Sequence, residues 1–167
     1  MPERVGYLGL GSNVGDSEGH LRAALQLLPT EGVEIDAVSS TYVTEPVGEI
    51  LDQPDFLNAA VRIRTVLEPG ELLDACKAVE AERGRQFDLP RHSPRPLDVD
   101  LLLLGDLQLE TERLTLPHPQ VRNRRFVLAP LSELDPTLTL PDGTVLADAL
   151  AAIPEDEQRA ERRGPLG

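Results

Sequence analysis

The chain has no tryptophan, one methionine, one cysteine and one lysine among 167 residues, and only 3% of it is aromatic. With so few rings, the core has to be built from Leu, Val, Ile and Ala. The single Cys76 excludes an intramolecular disulfide framework. No apolar run approaches the 18 residues a spanning helix needs, and no basic segment followed by an apolar stretch opens the chain. These absences lead to the expectation of a cytoplasmic protein that binds no membrane. A hydrophobic fraction of 40% with 27% charged residues excludes global disorder, and the length suits one domain spanning residues 1–167.

Positive charge is also scarce overall. A net charge of −13 argues against nucleic acid as a partner. Its distribution is uneven. Residues 83–125 carry eight arginines against six carboxylates, a local +2, which leaves −15 on the rest. Arginine's planar fork grips phosphate oxygens two at a time, so this segment reads as an anion site, with a solvated charged face as the plainer alternative.

Hydrophobic periodicity predicts the elements. Val5–Leu10 is a short strand ending at Gly11-Ser12-Asn13, and Asp16 or Ser17 caps a helix with Leu21, Ala24, Leu25 and Leu28 on one stripe. Val33–Thr44 and Asp55–Val66 alternate as strands. Glu68-Pro69-Gly70 opens a second helix running to about Arg83, and Leu97–Leu104 is a strongly apolar strand. The order β-α-β-β-α-β predicts an α+β, ferredoxin-like core, an antiparallel sheet with helices on one face. C-terminal additions follow: a hairpin over 107–116, short helices over 126–134 and 146–153, and a charged tail, 154–167, expected to fray.

Asp98-Val99-Asp100 is the strongest local signal. Alternation puts both carboxylates on one strand face, ~6–7 Å apart. They either pair with Arg91 and Arg95 just upstream or bind a cation, and oxygen-only ligands point to Mg²⁺. The segment 84–96, with three prolines and Arg85, Arg91, His92 and Arg95, is either a solvated loop or a lid over polyphosphate. His118, beside Arg122, Arg124 and Arg125, suits a phosphate donor better than a general base. In Asp55–Val61, alternation sends Leu57, Ala59 and Val61 to one face and Phe56, Asn58 and Ala60 to the other. The ring and amide on that second face could take a flat heterocycle. Gly9–Gly15 misses the dinucleotide fingerprint by one residue, and there is no P-loop.

Taken together, Tyr7–Asn13, Asp52–Val61, Gly84-Arg85, Pro94–Asp100 and Arg113–His118 with Asn123-Arg124 and Phe126 resemble the 6-hydroxymethyl-7,8-dihydropterin pyrophosphokinases of folate biosynthesis. The resemblance implies transfer of the β,γ-diphosphate of ATP to the pterin's hydroxymethyl group with release of AMP. By position it assigns two Mg²⁺ ions to Asp98 and Asp100, and phosphate closure to Arg85 and Arg95. It assigns ATP contacts to Glu80, Arg113, Thr115, His118 and Arg124 as well as to both loop arginines. Thr44, Val47, Phe56, Asn58 and Phe126 match the pterin pocket, where the two rings would sandwich the heterocycle, and Asp98 matches a contact to its hydroxyl. A monomer is expected. Four positions depart from the common pattern: His92 for Trp, Pro119 for Tyr, Lys77 for Gln and Glu45 for Pro. The competing readings are a ferredoxin-like regulatory module that binds a nucleotide without chemistry, and an interaction protein acting through its acidic surface.

Overall fold

A computed structural model describes residues 3–44, 55–84, 96–154 and 160–166. The elements are β1 (Arg4–Ser12), α1 (Ser17–Leu27), β2 (Glu34–Val38), β3 (Ser40–Thr44), β4 (Phe56–Thr65), α2 (Pro69–Glu82), β5 (Asp98–Leu104), β6 (Leu109–Glu110), β7 (Thr115–Leu116), α3 (Arg125–Leu134), α4 (Leu146–Ala151) and β8 (Ala160–Pro165). The main sheet runs β5-β1-β4-β3-β8, with β2 also on β4, and every pairing is antiparallel. Each helical crossover returns the chain with one antiparallel strand left between the strands it joins, which is the expected split βαβ arrangement. No helix among the described residues is long and apolar enough to cross a membrane.

Local chemistry sets the helix ends. Asp16 caps α1 by accepting from Gly19 N at 3.1 Å, and Gly32, with φ at +90°, turns the chain into β2. Glu68 and Glu71 form a reciprocal capping box ahead of Pro69 at the start of α2.

The sheet is apolar on both faces. Leu8, Leu10, Ala59, Val61, Ile63, Val99 and Leu101 pack with Leu21 and Ala24 of α1 and Leu72, Cys76 and Val79 of α2. Tyr7, Ala60, Leu102 and Leu103 form the opposite face and meet Leu128, Leu131 and Leu146 of α3 and α4. The C-terminal helices thus cover the face that the two crossover helices leave open, and each leucine so buried contributes on the order of 2 kcal/mol.

Three local features differ from the periodicity reading. The strand expected over 33–44 is two strands, because Ser39 interrupts the ladder. Its backbone N donates to Ala60 O, while its hydroxyl accepts from Ala60 N and donates to Ser40 O, both at 2.8 Å. The register slips by one residue as a result, from Val38 opposite Val61 to Tyr42 opposite Asn58. In β5 a second irregularity lets Leu102 and Leu103 share the α3 face, and the freed Leu102 carbonyl accepts from His118 N at 2.9 Å. The charged tail does not fray over 160–165. That stretch pairs with β3 as an edge strand, and Leu166 is buried at 1% exposure with its carbonyl accepting from Arg22 Nε. Backbone pairing and one buried leucine outweigh the segment's charge.

Candidate functional site

Gly9 and Gly11 of β1 lie at the centre of the site. Across the sheet, Asp98 pairs with Gly11 and Gly11 with Asn58, while one step along Asp100 pairs with Gly9 and Gly9 with Ala60. Alternation turns Asp98, Asp100, Phe56, Asn58 and Ala60 onto the α3 face. The two glycines leave the sheet bare between the carboxylates and the amide, and α3 stands over the gap. The result is a cleft lined by Gly9, Gly11, Thr44, Phe56, Asn58 and Phe126, with Asp98 and Asp100 at one end. Asn58 is 7% exposed and donates from Nδ2 to Thr44 Oγ1, so its amide is fixed in orientation. A Cβ built on Gly11 would come within 2.7 Å of Asn58 Oδ1.

A second, more open cleft lies against the edge of β5. Lys77 and Glu80 of α2, Arg113, Thr115 of β7 and His118 line it, together with Asp98 and Asp100. Glu80 is 4% exposed, and its Oε2 accepts from Val99 N at 2.7 Å. It therefore holds the strand at the one residue between the two carboxylates, besides walling the cleft. Arg113 meets Asp74 at 2.6 Å at the exposed rim.

His118 is fixed by two bonds: its backbone N on Leu102 O, and its Nδ1 accepting from Gln120 N at 3.1 Å. Burial pulls its pKa below the usual value and the positive charge of Arg124 adds to this, against an opposing pull from Asp98. A neutral ring whose Nδ1 accepts carries its proton on Nε2, which leaves an N–H donor free of titration at neutral pH. Cys76 sits behind the site in the core. Burial, with Glu80 and Asp100 adding to it, pushes its thiol up to about 12, so it stays protonated and serves as packing rather than as a nucleophile.

The fold thus gathers the expected residues into two sets that meet at Asp98 and Asp100. Thr44, Phe56, Asn58 and Phe126 line the first cleft, and Glu80, Arg113, Thr115 and His118 the second. Arg124, expected among the ATP contacts, lines the first cleft and stacks over the Phe126 ring at 5.4 Å, while its charge still reaches His118. Arg85, Arg95 and Val47, like Arg91, His92 and Glu45, lie outside the described residues. Sequence reasoning missed the roles of Gly9 and Gly11, and of Val127 and Pro130, which complete the α3 wall. Among the described residues no three His, Cys, Asp or Glu side chains gather around one point, so a cation at Asp98 and Asp100 would draw its further ligands from elsewhere.

The antiparallel α+β sandwich thus bears two clefts joined at paired carboxylates. Comparison with known proteins makes the assignment specific. Residues 7–136 match the model of the 7,8-dihydro-6-hydroxymethylpterin-pyrophosphokinase (HPPK) family. The 2-amino-4-hydroxy-6-hydroxymethyldihydropteridine pyrophosphokinase of Pseudomonas aeruginosa is 45% identical over 157 residues, covering 92% of this chain and 94% of that one. Its counterpart in Bacillus subtilis is 47% identical over 131 residues, covering 78% and 77%. Among solved structures, an HPPK-DHPS crystallised with substrates superposes with a TM-score of 0.71 at 12% identity. That match covers 91% of this chain and 43% of the longer one, and it supports the fold. The chain belongs to the HPPK family, and is an enzyme of folate biosynthesis.

Proposed function

We propose that the cleft under α3 takes 6-hydroxymethyl-7,8-dihydropterin and the cleft beside α2 takes ATP, with the β,γ-diphosphate passing between them at Asp98 and Asp100. One observation carries the reading: these two carboxylates line both clefts, so they are the side chains positioned to act on the reacting ends of two substrates at once.

In this reading Phe56 and Phe126 flank the pterin ring, and Asn58, fixed by Thr44, pairs with its polar edge. Arg113, Thr115 and His118 Nε2–H face the triphosphate, Arg124 stands between the two clefts, and Glu80 keeps Val99 and its flanking carboxylates in place. Arg85 and Arg95 are proposed to close over the phosphates and Val47 to complete the pterin pocket. The donor set fits magnesium, which typically takes one or two carboxylates and fills its remaining positions with water and substrate phosphate. Asp98 and Asp100 would hold it, and the bound metal would neutralise the charge of the triphosphate.

The hydroxymethyl oxygen attacks the β-phosphorus as the bond to the α-phosphate's bridging oxygen breaks; AMP leaves, and the hydroxyl proton is released to solvent with the products. Such a transfer needs in-line placement and charge stabilisation more than covalent help from the protein. Asp98 lies at the end of the pterin cleft where that hydroxyl would enter, and the apolar walls of Leu10, Leu102 and Val127 limit water there. The reading calls on no nucleic acid, membrane or second copy of the chain.

The test is a product assay with purified protein, ATP and Mg²⁺, with and without the dihydropterin. AMP formed only when the pterin is present is the expected result. ADP would mean transfer of a single phosphoryl group, and tight nucleotide binding without turnover would favour the binding module. Asp100→Asn should lower kcat by roughly 10²–10³-fold, as expected when charge stabilisation at a phosphoryl centre is removed; near-normal turnover would remove the pair from the mechanism.

A further inference from the structure

The two walls of the pterin cleft belong to different elements, and one side chain outside the cleft ties them together. Phe126, Pro130 and Glu133 recur at four- and three-residue spacings on α3, so they share the stripe that faces the sheet. Phe126 and Pro130 line the cleft. Glu133, at the far end of the stripe, reaches β3: its Oε2 accepts from Ser40 N at 2.8 Å and its Oε1 from Tyr42 Oη at 2.7 Å. Arg162 of β8 completes the group, donating from Nε to Ser40 Oγ at 3.0 Å and standing 3.6 Å from Glu133. Along β3, Tyr42 pairs directly with Asn58, and Thr44, two residues on, accepts the Asn58 amide.

We propose that Glu133 is a positioning residue for the pterin: by clamping α3 to β3 it sets the spacing between the Phe126 wall and the Thr44–Asn58 wall. The inference rests on the reading of that cleft as the pterin site. Hydrogen bonding supports it in both partners. Burial alone would raise the Glu133 carboxyl, but the bonds from Tyr42 and Ser40 and the charge of Arg162 hold it below its ordinary value. Burial and the same carboxylate raise the Tyr42 phenol, so it remains a donor throughout the working pH range. None of these groups lines the second cleft, so the clamp should act on one substrate and spare the other.

The experiment measures kcat and both KM values, with pterin Kd by calorimetry, for Glu133→Ala, Glu133→Gln and Tyr42→Phe. Tyr42→Phe removes a single oxygen and keeps the ring in the core, so it reports even if Glu133→Ala folds poorly. For Glu133→Ala, pterin Kd and KM should rise roughly tenfold, the equivalent of one hydrogen bond to a charged group, while the KM for ATP stays unchanged. Tyr42→Phe should shift the same quantity by less. Glu133→Gln should recover most of the affinity, since its amide can accept from Ser40 N and donate to Tyr42 Oη. The double variant Glu133→Ala with Tyr42→Phe should be no worse than Glu133→Ala alone. Both KM values rising together, or a lower Tm with pterin affinity intact, would overturn the clamp. Asn58→Ala is run in parallel. If it loses pterin while Glu133→Ala keeps it, the clamp fails and the cleft assignment stands; if Asn58→Ala binds pterin normally, both fail.

Discussion

Adding one methyl group at Gly11 should cost the enzyme its pterin and little else. Gly11 lies in ordinary strand backbone, so alanine brings no conformational strain there and even lowers the entropy of the unfolded chain. The cost lies across the strand. The new Cβ would sit 2.7 Å from Asn58 Oδ1. A methyl and an amide oxygen pack at about 3.3–3.6 Å, so the amide would have to recede by about 0.6 Å. Its other end is held by Thr44 Oγ1, so the movement either breaks that bond or tilts the amide out of register with the ligand. Losing one well-placed hydrogen bond in a buried setting is worth about 1–3 kcal/mol, or roughly 5- to 150-fold in Kd. Titration calorimetry with the dihydropterin should show this loss, while ATP affinity and Tm stay near wild type. Gly9→Ala separates filling the trough from displacing the amide, since a Cβ there meets Leu102 Cδ1 at an ordinary 3.4 Å and leaves the Thr44–Asn58 bond in place. In an Asn58→Ala background the methyl has nothing to displace, so Gly11→Ala should add no further loss. Wild-type affinity in the single variant, or simple additivity in the double, would refute the geometry.

Two further outcomes follow from the same chemistry. Ser39→Ala leaves the buried Ala60 N–H without its acceptor and should destabilise the protein by about 1–3 kcal/mol, read as a lower urea midpoint at constant m; a change under about 0.5 kcal/mol would deny Ser39 its place in the ladder. His118 is held neutral by burial and then by Arg124, so its folded pKa lies below about 6.5 and the unfolded chain binds the extra proton first. The stability this lends is complete above about pH 6.5 and is lost as pH falls toward the folded value. His118→Gln should flatten that stretch of the stability curve, while His20, lowered by burial and by Arg83, keeps its own share in both proteins; parallel curves would contradict the assignment.

Much of this architecture was legible in the sequence because it depends on local period. The stripe Leu21, Ala24, Leu28 and the capping pair Glu68–Glu71 specify their helices within a few residues of chain, and strand alternation correctly separated Phe56 and Asn58 from Leu57 and Ala59. The carboxylate pair was equally readable, since i and i+2 on a strand must share a face. Local pattern fails where a single side chain or a distant partner decides. Ser39 is one polar residue in a β-rich run, and only its two bonds to Ala60 reveal the break. The Leu101–Leu104 run cannot announce which two leucines share a face, because the irregularity is set by pairing with β1. For 160–165, composition pointed to solvent, yet an edge strand can expose charged side chains while its backbone pairs with β3.

The least legible residues were the ones with no side chain. From sequence alone Gly9 sits inside a short strand and Gly11 at the turn that ends it, because a glycine's use depends on what stands beside it after folding. Here the neighbours are Asp98 and Asp100 from β5 on one side and Asn58 and Ala60 from β4 on the other, two strands far from β1 in sequence. With side chains at 9 and 11, the carboxylates would be walled off from the amide by a row of atoms across the middle of the sheet. Without them, one continuous trough runs from the acidic edge to the aromatic wall under α3. A diphosphate acceptor must present its ring to one end of such a trough and its hydroxyl to the other, so in this reading the two glycines belong to the binding site as fully as Asn58 does. Gly11→Ala is therefore a test of the site itself and not only of the strand that carries it.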